Sequence, residues 1–219
     1  MEKIIFFDLD GTLLDTLQDL TDSVNYAMDK LGLARYASEQ VREMVGNGVV
    51  VLMQRAVTSA HSDLAEQALV YQREYYNKHT NDRTKPYDGI ESMLCYLKDK
   101  GFTIAVHTNK DANCAWSLCR EHFGNGLIEY VCGTVDSVTK PNPARVLELM
   151  ESRNVSKSNA VYCGDSDVDL QTAANAGLYC ISVTWGFRSK DFLLAHGAKY
   201  LADSPHEVIN YAMRLTGQK

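Results

Sequence analysis

The sequence contains no apolar run approaching the roughly 18 residues that a membrane-spanning helix requires, and no C-x-x-C pair among its six cysteines (Cys95, Cys114, Cys119, Cys132, Cys163 and Cys180). The first absence excludes a helical membrane protein. The second argues against a zinc site. Several cysteines lie inside apolar runs and read as reduced packing residues of a cytoplasmic protein, not as a disulfide framework. An excess of positive charge is also missing: 22 Lys and Arg stand against 28 Asp and Glu, a formal net charge of −6. Broad nucleic-acid binding needs a basic footprint, so neither nucleic acid nor membrane is an expected partner. A small anionic substrate stays open, because local field and net charge are separate matters. The apolar stretch within residues 3–7 is too short for a signal-peptide hydrophobic region, and charges follow at once.

What is present begins with MEKIIFFDLDGTLLDT. Four apolar residues, Ile4 to Phe7, run into Asp8 and Asp10, with a Gly-Thr turn behind them. Such a run reads as a strand buried on both faces. Asp8 then sits at its carboxyl end, and Asp10 points the same way if the chain stays extended. Two carboxylates a few ångströms apart repel by roughly 3–4 kcal/mol at an effective dielectric of ~20. Either one is protonated or a cation lies between them.

Four further apolar runs resemble the first, at residues 103–106, 130–132, 160–163 and 179–183. Amphipathic stretches of helical length lie between them, at about 89–100, 111–123, 143–153, 167–176 and 204–215. Alternation of this kind predicts βαβ units and a mostly parallel sheet, with ligands beyond the carboxyl ends of the strands. Residues 17–80 break the pattern. They carry helical periodicity without a convincing strand, with Ser62 and Asp63 as N-caps and Gly32 as a stop. The expected architecture is α/β: a Rossmann-like core of residues 1–16 and 81–219, with a four-helix insertion at 17–80 hanging over the strand ends as a lid. Residues 79–89 read as the connector back to the sheet.

The strand ends carry the chemistry. Asp8 and Asp10 follow the first strand, His107-Thr108-Asn109-Lys110 the second, Lys140-Pro141-Asn142-Pro143 the third, and Gly164-Asp165-Ser166-Asp167-Val168-Asp169 the fourth. In a parallel sheet these converge on one edge. Carboxylates, a hydroxyl and a lysine together suit Mg²⁺ and a phosphoryl group. Asn142 before Pro143 predicts a helix start just beyond Lys140. Asp167 reads as a helix cap, Gly177 as a helix stop, and Gly11 as the tight turn beside a bound ion. His107 reads as a packing or hydrogen-bonding residue, and the Tyr75-Tyr76 pair as surface or core of the insertion.

DLDGT at 8–12, Thr-Asn at 108–109, Lys-Pro-x-Pro at 140–143 and GDxxxD at 164–169 resemble the four motifs of the haloacid dehalogenase-like superfamily, in that family's order. The insertion is similar to its first-type cap, and VREMVGNG at 41–48 resembles the cap loop of its phosphoglycolate phosphatases. The resemblance implies that Asp8 attacks phosphorus and carries an aspartyl-phosphate, while Asp10 serves as acid and then base. It implies Mg²⁺ held by Asp8, the Asp10 carbonyl and Asp165, with Asp169 acting through water or orienting the others. Thr108 and the backbone at Asn109 would hold phosphate oxygens, and Lys140 would offset charge. Arg42, Gly46, Asn47 and Gly48 would meet the leaving group. The acid at position 10 disfavours dehalogenase and phosphonatase chemistry. The implied activity is hydrolysis of a small phosphorylated metabolite, first 2-phosphoglycolate, by a cytoplasmic monomer or homodimer. A sugar phosphomutase of the β-phosphoglucomutase type and a pyrophosphatase of the same family are the alternatives. No Ser-Arg cap loop of the mutases is found. A signalling receiver module is disfavoured, because receivers are shorter and lack an insertion after the first strand.

Overall fold

Two isoleucines and then two phenylalanines run through the first strand, β1 (Lys3–Phe7), and the period of two sends one of each to either face. Ile5 and Phe7 enter one apolar cluster, while Ile4 and Phe6 enter another. Both faces of the sheet are therefore covered. The computed structural model describes residues 2–134 and 138–217.

After β1 the chain forms a two-residue strand, β2 (Leu14–Asp15), and then the helices α1 (Leu17–Leu31), α2 (Ser38–Met44), α3 (Val49–Val57) and α4 (Ala65–Tyr76). It returns through β3 (Lys85–Pro86), which pairs antiparallel with β2. Next come α5 (Ile90–Asp99), β4 (Phe102–Asp111), α6 (Ala112–Phe123), β5 (Tyr130–Thr134), α7 (Ala144–Ser152), β6 (Ala160–Gly164), α8 (Asp167–Ala176), β7 (Tyr179–Val183), α9 (Lys190–Ala195), β8 (Tyr200–Ala202) and α10 (Pro205–Leu215).

The main sheet has the order β5-β4-β1-β6-β7-β8, and every neighbouring pair is parallel. From β1 the chain winds outward through β4 and β5, then crosses back to β6 on the other side. The order reverses between β1 and β6, where a doubly wound sheet opens its crevice. Helices α5, α6 and α10 pack on one face through Leu94, Leu118 and Val208. Helices α7 and α8 pack on the other through Val146, Met150 and Ala173. The helices of residues 17–76 bury a cluster of their own, including Val24, Met28, Met53 and Ala68.

Several local expectations are corrected. Strand β4 continues beyond residue 106 to Asp111, so Thr108, Asn109 and Lys110 lie within it; its pairing with β5 shifts register between His107 and Asp111. Ser62 and Asp63 do not cap α4. They lie in a 3₁₀ turn, Ser59–Leu64, kinked at His61. Helix α7 starts at Ala144, one residue later than expected, yet Asn142 Oδ1 still accepts from the Ala144 amide at 3.0 Å. Ser166, not Asp167, caps α8. Gly32 and Gly177 end α1 and α8 as expected. The short β2–β3 ribbon, α9 and β8 carry too few residues for periodicity to reveal them.

Candidate active site

Asp8 follows β1 and is nearly buried. The Leu9 amide donates to its Oδ1 at 2.7 Å, and Lys140 Nζ lies 2.9 Å from the same oxygen. Lys140 also donates to Asp169 Oδ1 at 2.8 Å. The other Asp169 oxygen accepts from the Ser166 amide (3.1 Å) and hydroxyl (2.6 Å), so the cap of α8 also holds this carboxylate in place. Asp165, at the end of β6, accepts from the Thr12 hydroxyl at 3.1 Å and from the Phe187 amide at 2.6 Å. Gly11, with φ +84°, turns the chain past Asp165; a Cβ there would fall 2.5 Å from Asp165 Oδ2.

Asp8, Asp165 and Asp169 each offer an oxygen within 4.8 Å of the others. Burial pushes Asp8 well above the ordinary carboxylate range; Lys140 opposes this, while Asp169 and Asp165 add to it. Burial, followed by the Asp169 charge, pushes Asp165 up to about 7. Burial alone would lower Lys140, but Asp169 and Asp8 outweigh it and keep the ammonium protonated. One lysine against three buried carboxylates leaves negative charge uncompensated, the electrostatic setting for a hard cation. An all-oxygen donor set fits Mg²⁺.

A cavity of about 360 Å³ opens above these groups. Asp8, Asp10, Thr108, Asn109, Lys110, Lys140 and Phe187 form its floor, and Val45, Gly46, Gly48, Leu52, Gln72 and Tyr76 its helical side. The residues expected from the four motifs meet at this one place. Asn109 joins two elements, its Oδ1 accepting from the Lys140 amide at 2.6 Å and its Nδ2 donating to the Gly46 carbonyl at 3.0 Å. Of the loop residues singled out, Gly46 and Gly48 line the cavity, whereas Arg42 and Asn47 do not. Arg42 has an exposed side chain, and Asn47 Oδ1 accepts from Arg55 at 2.8 Å.

The Asp10 carboxylate is not part of the three-carboxylate group. Lys110 donates to its two oxygens at 2.9 and 3.1 Å and to the Tyr76 hydroxyl at 2.8 Å. The sequence marks Lys110 as a strand-end residue without a role and Tyr76 as ordinary insertion surface or core. The signal available for Lys110 was its place two residues beyond Thr108 on the same strand, which returns it to the same face. His107 is buried, with Nδ1 3.1 Å from the Tyr162 hydroxyl, and burial pushes its pKa down to about 3. It packs and hydrogen-bonds, as expected.

Residues 5–183 match the family model of haloacid dehalogenase-like hydrolases. A phosphoglycolate phosphatase of Vibrio parahaemolyticus is 33% identical over 215 residues, 94% of each chain. One of Pseudomonas putida is 33% identical over 217 residues, 96% of this chain and 77% of its own. The crystal structure of a candidate phosphoglycolate phosphatase from Lactobacillus delbrueckii subsp. bulgaricus superposes with a TM-score of 0.92 at 31% identity, covering all of both chains. No helix among the described residues is long and apolar enough to cross a membrane.

Proposed function

The chain belongs to the haloacid dehalogenase-like hydrolases and is a phosphatase; on that footing we propose that it hydrolyses a small phosphate monoester, 2-phosphoglycolate first, through a phosphoryl group carried on Asp8. The observation that carries this reading is the Asp8–Lys140–Asp169 contact beside Asp165 at the floor of a cavity roofed by the helical insertion. The relatives' activity points to the two-carbon substrate.

In the first step an Asp8 oxygen attacks phosphorus, and the bond from phosphorus to the leaving oxygen breaks as Asp10 protonates that oxygen. In the second, Asp10 takes a proton from water, the water oxygen attacks phosphorus, and the Asp8–phosphorus bond breaks to release phosphate. Covalent capture divides one hard displacement into two easier ones, and the acid of the first step is the base of the second. The Thr108 hydroxyl and the backbone at Asn109 hold phosphate oxygens, and Lys140 offsets charge in a site from which water is excluded. Asp8 and Asp165, with the Asp10 carbonyl, would hold Mg²⁺, with Asp169 acting through water or orienting the others; the ion supplies charge neutralisation between carboxylates and phosphoryl group when bound. Residues 17–80 act as the cap, and residues 1–16 and 81–219 as the core that carries the reacting groups.

Phosphate release from 2-phosphoglycolate, pyrophosphate, a nucleoside monophosphate and several hexose phosphates tests the proposal. Turnover is expected with Mg²⁺, strongest on 2-phosphoglycolate, and lost with chelator or in Asp8→Asn. A sugar phosphate isomerised without phosphate release would replace the hydrolase reading with the mutase. Undiminished release by Asp8→Asn would remove Asp8 from the mechanism.

A further inference from the structure

We propose that Arg188 is a positioning residue that seats the Val45–Gly48 turn of the helical insertion over the phosphate site, and so sets the affinity for the organic part of the substrate. The proposal rests on the phosphatase reading above.

Arg188 lies in the loop between β7 and α9, outside all four motifs, yet its guanidinium reaches the insertion. Nη1 donates to the Arg42 carbonyl at 2.8 Å; Nη2 donates to the Val45 carbonyl at 2.7 Å and to that of Glu43 at 3.4 Å. Arg42 and Glu43 lie in the last turn of α2, whose carbonyls the helix cannot satisfy itself, and Val45 is the extended residue that caps it. The carbonyl between them, on Met44, accepts from Arg55 at 2.6 Å. Two arginines therefore close one short helix, and one of them belongs to the sheet domain. Cations at a helix C-terminus also meet the negative end of its dipole.

Both ends of this connection are fixed. On the sheet side, the Phe187 amide donates to Asp165 Oδ2 at 2.6 Å. Gly186 packs so tightly that an added Cβ would overlap Asp165 and the Gly11 carbonyl. The Arg188 guanidinium lies over the Phe192 ring, 5.6 Å from its centre, and 3.9 Å from Asp167 Oδ1, with its side chain 13% exposed. On the insertion side, the residue after Val45 is Gly46, whose carbonyl takes the Asn109 amide and which lines the cavity. A held guanidinium thus fixes the turn that roofs the cavity to a loop anchored on Asp165. Lysine cannot substitute fully, because a point charge lacks the planar fork that spans several carbonyls.

If the seated turn is what a substrate's organic part meets, loosening it lowers the fraction of chains competent to bind, and apparent affinity falls by that fraction. Orthophosphate needs only the sheet-side groups. Arg188→Met is expected to raise KM for the best substrate by about 10-fold or more, with kcat within about threefold of wild type. Inhibition by orthophosphate should be unchanged, and Arg188→Lys should fall between the two. An unchanged KM would overturn the proposal. So would KM and the phosphate inhibition constant rising together, since that marks damage to the sheet-side site. Hydrogen exchange keeps the proposal separable from the activity: in Arg188→Met, or in Arg188→Lys if the first does not fold, amides of residues 45–48 should exchange faster while those of β1 and β6 stay protected. A wild-type chain that hydrolyses nothing would sink the phosphatase reading alone. Exchange at 45–48 that stays at the wild-type rate would sink the role of Arg188.

Discussion

Lys140 Nζ stands 2.9 Å from Asp8 and 2.8 Å from Asp169, and its side chain is 1% exposed. A buried ammonium between two buried carboxylates has a structural and a chemical consequence, which one substitution can separate. Lys140→Met leaves the carboxylates without their cation, so the metal-free protein should lose about 3–5 kcal/mol of stability in a urea titration. Activity should fall by about 10²- to 10³-fold, the usual effect of removing a charge that stabilises a transition state. Mg²⁺ should restore part of the stability and little of the activity. Wild-type turnover in Lys140→Met would take the ammonium out of the chemistry. At this scale the motif residues were legible because each sits at a strand end, where a parallel sheet gathers its ligands. Lys110, Tyr76 and Arg188 were not, since each is a single residue whose side-chain hydrogen bonds reach partners 34 or more positions away in the sequence.

At the scale of elements, the buried strands announced themselves and the short pieces did not. The runs at β1 and β6 are apolar because both faces of the sheet are covered there. The burial of β4 continues through Thr108, which no hydropathy pattern marks, because His107 and Thr108 are buried polar residues held by partners. Strand β8 has three residues and β2 two, below any periodicity. The ribbon of β2 and β3 nevertheless decides how the insertion is attached. The chain leaves and returns side by side, Leu14 opposite Pro86 and Asp15 opposite Lys85. Asp19 of α1 then accepts from the amides of Arg83 and Thr84 and from the Thr84 hydroxyl, tying the returning segment to the first helix. A narrow double tether of this kind suits a body that pivots over the site. The Arg188 contacts would hold it from the far side.

For the whole molecule, the uncompensated carboxylates link stability to pH and to metal. With Asp165 pushed up to about 7 from an ordinary 3.8, the metal-free folded state binds its proton more tightly than the unfolded chain does. That contribution to stability is complete below about pH 4 and is lost as pH rises through 7. His107 has the opposite sign: pushed down to about 3 from 6.5, its neutral ring contributes stability above pH 6.5 that is lost as pH falls. Thermal unfolding is therefore best compared at about pH 6.5 and about pH 8.5, where the carboxylates dominate. Mg²⁺ should raise Tm more at the higher pH, because there it replaces repulsion, whereas at the lower pH it must displace protons. An equal rise at both values would mean that the ion binds elsewhere.

The central claim is that Asp8 carries the phosphoryl group. Stopping the reaction with acid in the steady state and mapping the modified peptide by mass spectrometry tests it most directly. An acyl phosphate on Asp8, cleaved by hydroxylamine and absent from Asp8→Asn, is the predicted result. Phosphate release by the wild type with the phosphoryl group on another residue, or with Asp8 never modified under conditions that trap acyl phosphates, would contradict it.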